Sequence, residues 1–423
     1  MRTTQLLILG NGFDLHCGLK SSYAGFFRTS ILNQIGEHFG LAQMQQGVSG
    51  FWEGLLLEYY KAFGNQDYGW CDIERIIKDT LWYIYYGDNR ESNDINNGLW
   101  YRALNSAIYR QVPPEEVNSI EDPIIRYLFM ACFNYLYCLS REQCHDLAKL
   151  DFLIKCLLQE LHNFEKRFCK YLKACIFDKQ NKPNENYVVN AVNLLAQLTG
   201  FTEPNYIGIH QIKSKERKQV IEEMDFGARI SKWQIVNILT SDFANLAKTN
   251  ILSFNYTNLF DDLAVESPCA YSNVHGKLCS KQCTDECKTS NVIFGIDDTL
   301  IQSQDSNTGL RLFSKTYRKM TDTSAPLSIL PPNNNKPIEI KFYGHSLNEA
   351  DYSYFQSIFD FYDLYANNNV SLVFYYSEGH EQNDAIYRLI NSYGKTLANK
   401  DQGKNLMHKL LLENRLKIVE LSD

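Results

Sequence analysis

Gln5-Leu6-Leu7-Ile8-Leu9-Gly10-Asn11-Gly12-Phe13-Asp14 is the stretch on which the fold turns. The run from Gln5 to Leu9 is short and apolar, as a buried strand is. Gly10-Asn11-Gly12 breaks it. Leu15, Leu19, Phe26 and Phe27 then share one helical face, with a short break near Gly18. Residues 4–27 therefore predict strand, glycine turn, helix. A core strand that ends in Gly, Asn, His or Ser has stopped serving the core. Open α/β sheets place their ligand sites at such carboxyl ends.

The same pattern returns late in the chain. Ile251-Leu252-Ser253-Phe254 leads into Asn255-Tyr256-Thr257, and Tyr271 to Val274 leads into His275-Gly276. Val292-Ile293-Phe294 leads to Gly295, and Ile338 to Tyr343 leads to Gly344-His345-Ser346-Leu347. A helix over Asp351–Tyr365 precedes another strand at Ser371–Tyr376. Strands alternating with helices predict a parallel sheet with right-handed crossovers. Residues 30–250 are different. They carry Leu, Tyr, Phe, Lys and Glu at helical spacing, most clearly from Asp151 to Phe177, where Leu153, Leu157, Leu161, Phe164, Phe168 and Leu172 repeat at about 3.6. Asp88–Pro114 is polar enough for a loop, and Ile124–Leu139 reads as a buried helix. The expected fold is α/β: a Rossmann-like, mostly parallel sheet in residues 1–30 and 248–423, with a large α-helical insertion at residues 31–247.

A net charge of -7 over 423 residues argues against a protein that coats duplex DNA or an anionic membrane. Nucleic acid is thus not the expected partner. The one basic cluster, Lys213, Lys215, Arg217 and Lys218, is diluted by Glu216, Glu222 and Glu223 and reads as a solvated helix face. Most of the 12 Cys sit singly in apolar stretches, where they act as small hydrophobes. With no secretory signal ahead of the first strand, reduced thiols and a cytoplasmic location are expected.

Each motif has a plain reading beside a functional one. Gly10-x-Gly12 is a tight turn or a phosphate cradle at a helix start; the third glycine of the dinucleotide fingerprint is absent at its usual spacing. Asp14 caps the helix, or holds a ribose hydroxyl or a metal. Asn255 forms a turn, or orients a ribose hydroxyl or a water. His275 is a satisfied structural residue or a general base. Ser346 with Glu349 makes a capping box, while Gly344, His345 and Ser346 also fit a loop pressed on a ligand. Asp351 is solvated or aimed back at the site. Cys279, Cys283 and Cys287, with Cys269, are candidate ligands of a structural zinc, though the paired spacing of zinc knots is missing.

Taken together these motifs resemble the AbiH family of bacterial phage-defence proteins. The resemblance covers most of the chain. It rests on Gly10-Asn11-Gly12-Phe13-Asp14-Leu15, Gly18-Leu19-x-x-Ser22-Tyr23, Trp70-x-Asp72-x-Glu74, Ser253-Phe254-Asn255-Tyr256-Thr257, His275-Gly276, Ile293-Phe294-Gly295-Ile296-Asp297 and Tyr343-Gly344-His345-Ser346-Leu347-x-x-x-Asp351. It implies abortive infection. A more distant resemblance, to sirtuin-like domains, implies binding of NAD and hydrolysis of its nicotinamide bond. On that likeness NAD is substrate rather than resident cofactor, and no catalytic metal is expected. Asn255 would hold water or ribose, His275 would take a proton, and Asp14 would complete the catalytic set. Gly10, Asn11, Gly12 and Phe13 would receive the pyrophosphate, and Gly344, His345 and Ser346, with Asp351, the adenosine side. Asp14 stands where sirtuin-like domains carry a neutral Ser, and a carboxylate there would repel a pyrophosphate. The rival readings are a metal-dependent nucleotide or nucleic-acid hydrolase using Asp14, His16, His345 and Asp351, and a nucleotide-gated sensor. A phage or host protein as trigger and a homo-oligomer are the further partners expected.

Overall fold

The computed structural model describes residues 4–32, 50–62, 70–86, 150–177, 184–199, 248–262, 269–278, 292–296, 309–321, 329–334, 336–348 and 351–421, with a few isolated positions between them. The chain divides into two compact units: residues 1–19, 175–289 and 325–423 in one, 20–174 and 290–324 in the other.

The first unit is built on six parallel strands: β1 (Thr4–Leu9), β2 (Thr249–Ser253), β3 (Tyr271–Asn273), β4 (Ile338–Tyr343), β5 (Val370–Tyr376) and β6 (Leu416–Glu420). Their order is β3-β2-β1-β4-β5-β6. The order reverses between β1 and β4, and in open α/β sheets that switch point is where a crevice for a ligand forms. Leu9 is level with Ser253 on one side and with Tyr343 on the other, so the three strands that end in the quoted motifs stop on one line.

Both faces are covered, as a wholly parallel sheet requires. Leu6, Ile8, Leu252, Ile340, Phe342, Leu372 and Phe374 face one way and form one core with three helices. Along the chain, α1 is Asn11–His16, α2 is Glu185–Thr199 and α3 is Leu259–Asp262. The three core helices are then α4 (Tyr352–Phe361), α5 (Asn383–Thr396) and α6 (Lys400–Leu412). The opposite face receives α2. There Gln5 Nε2 donates to Thr199 O at 3.2 Å and buried Lys341 Nζ to Leu198 O at 2.9 Å. Two sheet side chains thus satisfy carbonyls that the end of a helix leaves open, and the lysine also suits the negative end of the dipole. Helix α4 is shorter than the expected Asp351–Tyr365. Asp363 turns left-handed at φ 48, and the Leu364 N–H donates back to Phe359 O, which ends the helix. The sequence predicts no element beyond Tyr376; α5, α6 and β6 complete that side.

The second unit is helical where it is described. Leu150–Ile176 follows the predicted Asp151–Phe177 and buries Leu157, Leu161, Phe164, Phe168 and Leu172 along one stripe. Tyr23 and Phe26 pack on Phe164, and Phe26 also packs on Phe168. Val292-Ile293-Phe294 is buried as expected but is not a strand; only Ile296 makes a bridge, to Ser314. The reason is local. Glu165 Oε1 accepts from the Phe294 N–H at 2.8 Å and Arg318 Nη1 donates to Phe294 O at 2.8 Å. Side chains occupy the groups a strand would give to its ladder. Arg318 and Glu165 also form a two-pronged, partly buried ion pair. The basic cluster at 213–218, Glu349 and Cys279, Cys283 and Cys287 lie outside the described residues, as do most of 124–139 and of the expected loop 88–114; the one described residue of that loop, Ala103, is helical and buried.

Candidate functional site

The two glycine loops meet. Gly10 N–H donates to Tyr343 O at 3.0 Å and Gly12 N–H to Gly344 O at 2.8 Å, which extends the β1–β4 pairing past the strand ends. A Cβ on Gly12 would stand 2.6 Å from Gly344 Cα, and one on Gly344 would stand 2.7 Å from the Gly12 carbonyl carbon. Gly344 also has φ 67, which a side chain rarely tolerates. The glycines are therefore demanded by main chain packed on main chain. Asn11, Gly12 and Gly344 remain partly accessible, Ser346 is exposed, and Phe13 is buried beneath them.

Phe254 and Asn255 follow β2 directly, and side chains alternate in direction there. Asn255 goes toward Asp14, on the α2 side. Asp14 is 1% exposed, and its Oδ2 accepts from Thr257 Oγ1 at 2.7 Å. Burial drives its carboxyl up from an ordinary value of 3.8 to about 7; hydrogen bonds from Thr257 and Asn255 pull it partly back. Asp262, at the end of α3, is 3% exposed. Burial, and then the charge of Asp14, hold its carboxyl well above the usual range. Buried Tyr187 of α2 and half-buried Tyr271 of β3 adjoin the same two acids. Asp14 Oδ1, Asp262 Oδ2 and Asn255 Oδ1 accept no hydrogen bond among the described residues. Asn273 ties the loop together, its Nδ2 donating to Asn255 O at 2.7 Å and Thr257 O at 2.9 Å.

Phe254 goes the other way and stands against two histidines, with ring centroids 5.4 Å from His275 and 4.4 Å from His345. His275 Nε2 lies 2.9 Å from Asp351 Oδ1, and His345 Nε2 lies 3.3 Å from Asp351 Oδ2. Both rings are buried. The expected trio is thus divided: Asn255 joins Asp14, while His275 joins Asp351 and His345. The expected capping box gives way as well. The residue at the head of α4 is Asp351, not Ser346. The rival ligand set is split: His345 and Asp351 stay together, apart from Asp14 and His16. His16 is exposed and its Nδ1 pairs with the Tyr343 hydroxyl at 2.8 Å, and among the described residues no three of His, Cys, Asp and Glu are arranged to hold a metal.

Thr257, Asp262, Asn273, Tyr187 and Tyr271 were not singled out from the sequence. Thr257 stood inside a quoted motif and Asn273 two residues before His275. Nothing in the pattern around Tyr187 marks it, since its place is fixed by the fold.

The first unit is an α/β domain with an open, wholly parallel sheet whose polar residues gather where its strands end. Residues 6–376 match the family model described as bacteriophage abortive infection AbiH, and the chain belongs to that family. Its role is accordingly in abortive infection of bacteriophage. No curated protein and no solved structure matches the chain significantly. Among the described residues no helix is long and apolar enough to cross a membrane.

Proposed function

We propose that this protein hydrolyses NAD at the nicotinamide–ribose bond as its contribution to phage defence. The observation that carries this reading is the pairing of His275 with Asp351 at 2.9 Å at the same strand ends as a carboxyl tuned to about 7. A histidine held by a carboxylate is suited to take a proton from water. A carboxyl near 7 is half-protonated at neutral pH and can donate to or accept from a ribose hydroxyl. This removes about half of the repulsion that a fixed charge at Asp14 would exert on a pyrophosphate, and proton uptake as the anion approaches can lower the rest. In the reaction the C1′–N bond breaks, and its electron pair leaves with nicotinamide. Water adds to C1′ of the oxocarbenium-like centre and gives its proton to His275. Asn255 holds the water or the ribose.

The test is incubation of the purified protein with NAD and measurement of free nicotinamide. Release is expected, with His275→Ala and Asn255→Ala each losing it while keeping the melting temperature within a few degrees. Abolition by a chelator would move the reading to metal-dependent hydrolysis, and full activity in both variants would remove the assigned roles. One observation favours a second reading, a nucleotide-gated sensor: Asp14, Asn255 and His275 are all buried. Thermal stabilisation by NAD without turnover would select it.

A further inference from the structure

An aspartate at the first position of a helix ordinarily turns its carboxylate onto the free N–H groups of the first turn. Asp351 holds that position on α4 and makes no such bond. Both its oxygens go to histidines, Oδ1 to His275 and Oδ2 to His345. The state of His345 follows from its other nitrogen. The Leu347 N–H donates to His345 Nδ1 at 2.9 Å. A neutral His345 therefore carries its proton on Nε2, directed at the carboxylate. Leu347 makes this bond from left-handed backbone at φ 55, a conformation that a non-glycine residue keeps only where its surroundings impose it. Phe254 and Phe355 stand edge-to-face on the His345 ring, with centroids at 4.4 and 5.1 Å.

We propose that His345 and Asp351 are positioning residues and not nucleotide ligands: they hold His275 in the tautomer that carries its proton on Nε2 and presents Nδ1 as the basic nitrogen. The proposal rests on the reading of His275 as the base. Water's proton goes to Nδ1 while the Nε2 proton stays in its bond to Asp351, so no proton crosses to the carboxylate. Among the described residues, the titratable groups packed on His275 are Asp351 and Tyr354 of α4, with His345 reached through the carboxylate.

The experiment is side-chain nitrogen NMR of the full-length protein labelled at its nine His, across a pH titration, in the wild type and in His345→Phe, His345→Gln and Asp351→Asn. His345→Phe keeps the ring and deletes both hydrogen bonds. The wild type is expected to show His275 with Nε2 protonated throughout and Nδ1 titrating. In Asp351→Asn the midpoint should fall, because a neutral amide no longer favours the imidazolium. In His345→Phe the two tautomers of His275 should mix. In the nicotinamide assay His345→Phe should lose roughly 100-fold or more in kcat with KM for NAD little changed, and His345→Gln should recover part of the loss. A His275 spectrum unchanged in both His345→Phe and Asp351→Asn overturns the proposal, as does a rise in KM with kcat intact. If no nicotinamide is released at all, the hydrolysis reading falls, and the tautomer measurement alone decides this one. If His345→Phe does not fold, Asp351→Asn decides it in the same way.

Discussion

A buried acid that titrates near neutrality affects stability as well as chemistry. Asp14 has its folded-state value raised, so the folded chain binds a proton more tightly than the unfolded one. Below the ordinary value of 3.8 the two states are protonated alike. As pH rises from there through about 7, the folded state pays on the order of 4 kcal/mol to ionise a group with almost no contact with water. Stability from this residue therefore falls with rising pH. Asp14→Asn, which keeps an acceptor for Thr257, should melt several degrees above the wild type at pH 8, with the gap narrowing as pH falls and closing only below the ordinary carboxyl value of 3.8. A variant that melts lower than the wild type at pH 8 would contradict the burial argument. Asp14 itself was visible in the sequence because it follows the glycine turn. Its partners were not, since Thr257 and Asp262 reach it only through long-range pairing of β1 with β2.

At the scale of elements, an apolar run with a polar terminus was enough to find β1 to β4 and their shared edge. It failed at Val292–Phe294, where Glu165 and Arg318 satisfy the backbone that a ladder would otherwise claim. Apolar runs report burial, and burial is common to strands and to extended segments tied by side chains. The two glycine loops give a sharper prediction. Gly344→Ala combines left-handed backbone with a Cβ pressed into the Gly12 main chain, and neither neighbour has a flexible end to swing away. Strain of this kind costs about 1 kcal/mol for the backbone and about 1–3 kcal/mol for the overlap. Gly18→Ala meets only the first cost, because φ is 88 but its Cβ would stand in open space. Melting curves should place Gly344→Ala well below Gly18→Ala. Equal losses would mean that the loops part easily.

For the whole molecule, family membership and folding unit do not share a boundary. The family match stops at residue 376, yet Ile386, Leu389, Ile390, Tyr393, Leu406 and Leu410 lie in one core with β1, β4 and β5. Each such side chain stabilises by roughly 1.5–3 kcal/mol, and together they rival the net stability of a typical domain. A chain cut after Tyr376 should be insoluble and give no protection against phage; a soluble, protective truncation would show that α5, α6 and β6 are dispensable. The sheet order carries a last consequence, for synthesis. β1 leaves the ribosome first, but its two neighbours are residues 249–253 and 338–343. At about 5–20 residues per second, roughly 15 to 70 s separate the making of that strand from the moment its second neighbour exists. Throughout that interval the nascent chain carries Leu6 to Leu9 without their sheet, which makes its amino end a natural client for a chaperone.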